Sequence, residues 1–267
     1  MSPASPAPQR EVIIFPDGNA IARRAAEEFL QTANDAVAQC NAFTVALAGG
    51  STPKALYSLL ATDPAFRDKL PWDRIHFFFG DERHVPPDHA DSNYRMVNES
   101  LLSKIQLPPE NIFRVKAENA DANAAALDYE RQMRSFFSPQ GAAFPRFDLI
   151  LLGLGPDGHT ASLFPGSLGL QEQSRWFIAN RVEKFQTDRL TVTFPVLNNS
   201  AEVIFLASGP DKAEIVRRVL ESKNDGKTAD PYPSQRVRPA DGRLLWMLDE
   251  PAAAKLGRSR DTGNSGA

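Results

Sequence analysis

The amino-acid sequence predicts a single doubly wound α/β domain, a mostly parallel sheet with helices on both faces. Three observations lead there. Short β-branched or apolar runs alternate along the chain with stretches of helical period. Several runs are apolar on successive residues, as in Phe147-Asp148-Leu149-Ile150-Leu151-Leu152, the pattern of a strand covered on both sides. No internal repeat or composition break divides the 267 residues, a length that suits one large α/β unit.

The elements follow in order. Met1 to Gln9, with three prolines among small residues, reads as disordered, and residues 1–10 are set apart from the folded domain, 11–256. Strands are expected at Glu11 to Phe15, Phe43 to Ala48, Ile75 to Phe79, Phe147 to Leu152, Arg189 to Phe194, Val203 to Ala207 and Arg243 to Leu248. Ala22, Ala26, Phe29, Ala33 and Val37 form one helical apolar face, and Ala126, Tyr129, Met133 and Phe137 form another in the segment beginning near Asp121. Both faces should lie on the sheet. Lys212 to Leu220 reads as a further helix, ended by the polar stretch Ser222 to Pro233, which is expected to be the long surface loop. Residues 257–267 read as a flexible tail.

Composition removes several classes. Hydrophobic residues at 42 %, charged residues at 24 % and aromatic residues at 9 % are ordinary for a globular chain, so collagen-like, disordered and disulfide-scaffold classes are set aside. Thirty basic against 33 acidic side chains leave a net charge of −3, which gives no bulk reason to bind nucleic acid or an anionic membrane. The single cysteine, Cys40, cannot form an internal disulfide and suits a reducing cytosol. No window of 18 apolar residues and no basic-then-apolar opening suggests a transmembrane helix or a secretory signal, so a cytoplasmic location is expected. Oligomeric state is left open, and a monomer is compatible with the chain.

Four segments carry chemistry, and each falls where a predicted strand ends, which is where open α/β sheets bind ligands. The first is Gly49-Gly50-Ser51-Thr52-Pro53-Lys54. Ser51 or Thr52 can cap the helix that follows, Pro53 suits its first turn, and the glycines allow close backbone approach. Free amides at the positive helix end favour an anion, above all a phosphate. A capped turn without a ligand fits the same residues equally well, and the spelling is not that of a Walker loop.

The second segment is Gly80-Asp81-Glu82-Arg83-His84-Val85-Pro86-Pro87. Three charges directly after an apolar strand are costly when half-buried unless they pair with one another or with a ligand. Arg83 could grip a carboxylate, a phosphate or a developing oxyanion, and Asp81 could orient a base or bind sugar hydroxyls. A solvated loop is the alternative. The third, Gly153-Leu154-Gly155-Pro156-Asp157-Gly158-His159, contains G-x-G-x-x-G, but Pro156 intrudes on the turn and Pro165-Gly166 interrupts the crossover helix, so no nicotinamide cofactor is expected. Asp157 and His159 remain, and of the four histidines His159 is best placed for base catalysis. The fourth pairs Arg189 with Lys212, either of which could complete an anion site. Each alone is ordinarily a surface charge.

Familiar hydrolytic spellings are absent. Pro53 replaces the second glycine of G-x-S-x-G, no H-E-x-x-H occurs, and Cys40 lacks a thiol partner, so neither a nucleophile elbow nor a metal site is expected.

Taken together, Ala48-Gly49-Gly50-Ser51-Thr52-Pro53, Gly80-Asp81-Glu82-Arg83, Asp91-Ser92-Asn93, Gly153 to Phe164 with Pro165-Gly166, and Arg189-Leu190-Thr191-Val192-Thr193 resemble the 6-phosphogluconolactonase family. That family is the lactone-hydrolysing branch of the superfamily that includes glucosamine-6-phosphate deaminases. The resemblance runs from about Val12 to Leu248. It implies a modified Rossmann-like fold and hydrolysis of 6-phospho-D-glucono-1,5-lactone in the oxidative pentose phosphate pathway, without cofactor or metal. The deaminase branch resembles Asp-x-His followed by a glutamate five positions after the histidine, where this chain has Phe164. Lactonase is therefore favoured over deaminase or isomerase, and over a sugar-phosphate-binding regulator, which would need a further module. The expected catalytic set is His159 as base, Asp157 or Asp81 orienting it, and Arg83 on the oxyanion or the substrate's charge. Gly49, Gly50, Ser51, Thr52, Arg189 and Lys212 are the expected substrate-binding set.

Overall fold

The computed structural model describes residues 10–137, 144–221 and 231–257. The expected disordered start and most of the expected tail and long loop, at 1–9, 258–267 and 222–230, lie outside the described residues.

The chain opens with β1 (Arg10–Phe15) and α1 (Gly18–Cys40), then β2 (Phe43–Leu47), α2 (Ser51–Thr62) and α3 (Pro64–Arg67). The strands β3 (Ile75–Phe79) and β4 (Asp81–Arg83) are separated by Gly80 alone and lead to α4 (Asn93–Ser100) and α5 (Ala122–Phe137). Then come β5 (Leu149–Gly153), β6 (Phe177–Val182), β7 (Thr187–Val192), α6 (Phe194–Asn199) and β8 (Glu202–Ala207). Finally α7 (Ala213–Glu221), β9 (Arg243–Asp249) and α8 (Glu250–Ala253) complete the domain.

Six strands form one parallel sheet in the order β1-β9-β8-β5-β2-β3. Every residue of β2 and β8 is buried, as the unbroken apolar runs require of strands covered on both faces, whereas β1 at the edge is largely exposed. α1 begins where the Asp17 carboxylate accepts from Ala20 N and ends at Asn41, which takes the left-handed conformation at φ 59°. Ala22, Ala26, Phe29 and Ala33 are buried on its inner face as the period predicts, while Val37 is only half-buried one turn from the end. On α5 the Tyr129 hydroxyl accepts from Phe79 N at 2.8 Å, fastening that helix to the end of β3.

Two expectations are corrected. The strand predicted from Arg189 to Phe194 runs from Thr187 to Val192, and Phe194 already begins α6. It does not join the parallel sheet: β7 lies between β4 and β6 in a separate antiparallel sheet of three strands. Apolar content in that stretch reports burial but not the direction of pairing. The predicted helix from Lys212 is a 3₁₀ turn at Pro210–Lys212 that runs into α7. No helix among the described residues is long and apolar enough to cross a membrane.

Candidate active site

The loops after β8, β5, β2 and β3 leave the carboxyl ends of four strands that are consecutive in the sheet. They enclose a cavity of about 270 Å³, near the lower end of the usual range for small-molecule sites. Its walls include Gly49, Gly50, Ser51 and Thr52 from the first loop, Asp81 and Arg83 from β4, His159 from the third loop, and Lys212. Asp157 and Arg189 are not on these walls.

Gly50 is the N-cap of α2, with φ 107°, a conformation that glycine tolerates. No side chain caps this helix, which corrects the expectation for Ser51 and Thr52: both lie inside the first turn. The α2 N-terminus therefore opens on the cavity with its positive dipole end and no capping hydrogen bond from a side chain. Gly49 is required for another reason. A Cβ there would come within 1.9 Å of Asn93 Oδ1.

Asn93 lies in the Asp91-Ser92-Asn93 block that the sequence reading singled out without giving it a role. Its Nδ2 donates to the Asp81 carbonyl at 2.9 Å and to Asp81 Oδ1 at 3.2 Å, while Ser162 Oγ donates to Asp81 Oδ2 at 2.7 Å. Asp81 is thus a buried tie between three segments of the rim, and Asp81 does not orient the histidine. Glu82 beside it is buried and accepts from the backbone N–H groups of Arg83, Asn93 and Tyr94. Burial pushes its carboxyl up, against the pull of those amides. The three charges after β3 are therefore a strand with satisfied acceptors, not a solvated loop.

Arg83 donates from Nη1 to the Asp91 carbonyl at 2.8 Å, which aligns it at the cavity wall. The β4–β7 register sets it directly opposite Arg189. Like charges facing across strands are unfavourable without an anion to share. Burial first and the Arg83 charge second hold the Arg189 guanidinium below its ordinary value.

The imidazole of His159 is fixed on three sides. Its Nδ1 lies 2.5 Å from Asp157 Oδ1, and its ring stacks on Phe164 with centroids 4.0 Å apart and planes at 28°. The other face lies against Gly155, where a Cβ would meet Nδ1 and Cε1 at 2.0 Å. The glycines that mimicked a dinucleotide motif thus serve to seat an imidazole, and Gly158, with φ 78°, leaves room for Tyr232. Nε2 makes no hydrogen bond among the described residues. Partial burial alone would raise the Asp157 carboxyl, but the hydrogen bond and charge of His159 outweigh it and hold Asp157 below the usual carboxylate range.

Lys212 follows a turn anchored by the buried Asp249, whose carboxylate accepts from Ser208 Oγ and from Gly209 N at 3.0 Å. Its ammonium lies 3.3 Å from the exposed Asp211. Among the described residues no three His, Cys, Asp or Glu side chains gather as a metal site would require.

The site therefore joins an uncapped helix start and two cations to a clamped imidazole, suited to holding an anion while a base works nearby. Residues 16–246 match the family model of glucosamine-6-phosphate isomerases/6-phosphogluconolactonase. The chain is 39 % identical over 248 residues to a 6-phosphogluconolactonase of Nostoc sp., covering 93 % of this chain and 99 % of that one. It is 41 % identical over 222 residues to the chloroplastic 6-phosphogluconolactonase 3 of Arabidopsis thaliana, covering 80 % and 66 %. The solved 6-phosphogluconolactonase of Trypanosoma cruzi superposes with a TM-score of 0.80 at 27 % identity, covering 94 % of this chain and 98 % of that one. The chain belongs to the family of glucosamine-6-phosphate isomerases and 6-phosphogluconolactonases.

Proposed function

We propose that this chain is a hydrolase that converts 6-phospho-D-glucono-1,5-lactone and water to 6-phosphogluconate, the second step of the oxidative pentose phosphate pathway. The observation that carries the reading is one cavity that holds both the His159 imidazole, backed by Asp157, and the uncapped start of α2 with Lys212. Its similarity to proteins named 6-phosphogluconolactonase supports the same substrate.

In this mechanism the Gly49–Thr52 turn and Lys212 hold the phosphate, so that binding energy remote from the reacting carbon positions C1. Neutral His159, with Nδ1–H donated to Asp157, accepts a proton at Nε2 from the water that attacks C1. Arg83, with Arg189 opposite it on β7, stabilises negative charge at the site, whether the oxyanion or the substrate's own. The tetrahedral intermediate collapses, the ring C1–O bond breaks, and the proton passes to the departing oxygen. The residues named need no metal or cofactor for this sequence. The cytoplasm is the proposed location.

Phe164 favours this reaction over deamination. It stacks on the histidine where a sugar-opening relay would require a carboxylate. The test is acid release from the lactone at controlled pH with spontaneous hydrolysis subtracted, beside ammonia release from glucosamine 6-phosphate. Acceleration of the first and none of the second is expected. Ammonia release would make the chain a deaminase, and 6-phosphogluconate binding with neither activity would make it a regulator.

A further inference from the structure

The turn between β6 and β7, residues 183–186, is built to lean on the histidine clamp. Gln186 takes the left-handed conformation at φ 50°, and both its backbone N and its Nε2 donate to the Glu183 carbonyl, at 3.1 and 2.8 Å. This tight closure presents two neighbouring side chains to the two groups that hold His159. Phe185 meets Phe164 edge-on, with centroids 5.8 Å apart and planes at 82°. Lys184 Nζ lies 3.6 Å from Asp157 Oδ2, the carboxylate oxygen that the imidazole leaves free.

We propose that Lys184 is a positioning residue of the site: from the hairpin tip it fixes Asp157 against His159 and, through that carboxylate, sets the pH at which the imidazole becomes available as a base. This rests on His159 being the base of the proposed reaction. An ammonium at the far oxygen of Asp157 favours the ionised carboxylate and opposes a second positive charge on the ring, so the neutral imidazole persists to lower pH. Other charges near the pair do not duplicate it. Arg83, Asp81 and Lys212 share the cavity walls with His159, and neither Arg83 nor Lys212 pairs with Asp157. The Arg189 guanidinium lies 5.8 Å from the Phe185 ring centre, and Arg181 takes up Asp188 and Glu183. Among the described residues, the groups that pair with the Asp157 carboxylate are His159 and Lys184.

Lys184 is largely exposed, so its replacement leaves the core intact and its effect is screened by water and salt. The experiment is the titration of the His159 imidazole by NMR in the unliganded protein, with the pH profile of kcat/KM beside it. Lys184→Gln should move the histidine titration and the acidic limb upward by about 0.3–0.6 pH unit at low ionic strength. Lys184→Arg should leave both in place, and added salt should bring Lys184→Gln and the unsubstituted protein together. Superimposable titrations for Lys184→Gln, or an equal shift in Lys184→Arg, would overturn the proposal. Because the NMR titration needs no turnover, absence of lactone hydrolysis would remove the functional reading while leaving this coupling measurable.

Discussion

The Gly49–Thr52 turn and the Gly153–His159 loop leave neighbouring strands, β2 and β5, at the same rim, and both are rich in glycine. Their glycines do opposite things. In the first, Gly50 bends the chain at positive φ so that the first turn of a helix presents its main chain to the cavity without a side-chain cap. In the second, Gly155 withdraws its own side chain so that an imidazole can lie flat in the vacated space. One loop offers a fixed electrostatic surface that no physiological pH alters, and the other carries an imidazole, a group able to take up a proton and give it back. In the proposed reaction, holding and reacting thereby fall to separate pieces of backbone, and substitutions should separate them.

The largest separation is expected at His159. Replacement by Gln should lower kcat by about 10²–10⁴-fold, some 3–5 kcal/mol of barrier, while KM changes little. A fall of less than about tenfold in steady-state turnover by a folded variant would end the division of labour. Gly49→Ala attacks the other loop through geometry: the new methyl group must displace Asn93 Oδ1, and with it the contact to Asp81. Overpacking of this kind costs about 1–3 kcal/mol, to be read from chemical denaturation, and Asn93→Ala in the same chain should recover part of the loss. Additive losses in the double variant would show that the two residues do not meet as described. Lys212→Met should raise KM roughly tenfold, near 1.4 kcal/mol, with kcat nearly unchanged, because a remote phosphate contact acts in ground and transition states alike. A fall in kcat alone would move Lys212 to the chemical step.

The smallest effect concerns a histidine outside both loops. His76 on β3 packs against Phe136, with ring centroids 4.7 Å apart, and its buried Nδ1 has no hydrogen-bond partner. Burial lowers its pKa, so the unfolded chain binds the proton more readily than the folded one. Its contribution to stability is complete above the ordinary value of 6.5 and is lost as pH falls through the lowered value in the folded protein. His76→Phe should flatten the decline of the melting temperature on mild acidification. An unchanged slope would show that folding does not withhold a proton from this ring.

The parallel sheet was legible because strands covered on both faces must be apolar at successive positions, as Leu149 to Leu152 are. The antiparallel sheet was less so. Asp81, Glu82 and Arg83 have no intrinsic preference for a strand, and become one by pairing with Arg189, Leu190 and Thr191. In β6, Asn180 interrupts any apolar alternation and is buried because its amide donates to Ser162 O and accepts from Gly169 N. At the site, residue types pointed to His159, Asp157 and Lys212, but Asp81 and Asp157 are equivalent as letters, and only three-dimensional placement gives one the imidazole and the other Asn93 and Ser162. Gly155 was visible as a glycine, though the neighbour that demands it was not.

A ring wedged between Gly155 and Phe164, with one nitrogen tethered to Asp157, has no freedom to swivel between partners. Whatever proton Nε2 collects must be surrendered from Nε2 again. For the proposed reaction the incoming hydroxyl and the departing ring oxygen must then be served from the same side of the sugar, one after the other. The stereochemistry of delivery is written into the stacking of a phenyl group, well before any lactone arrives.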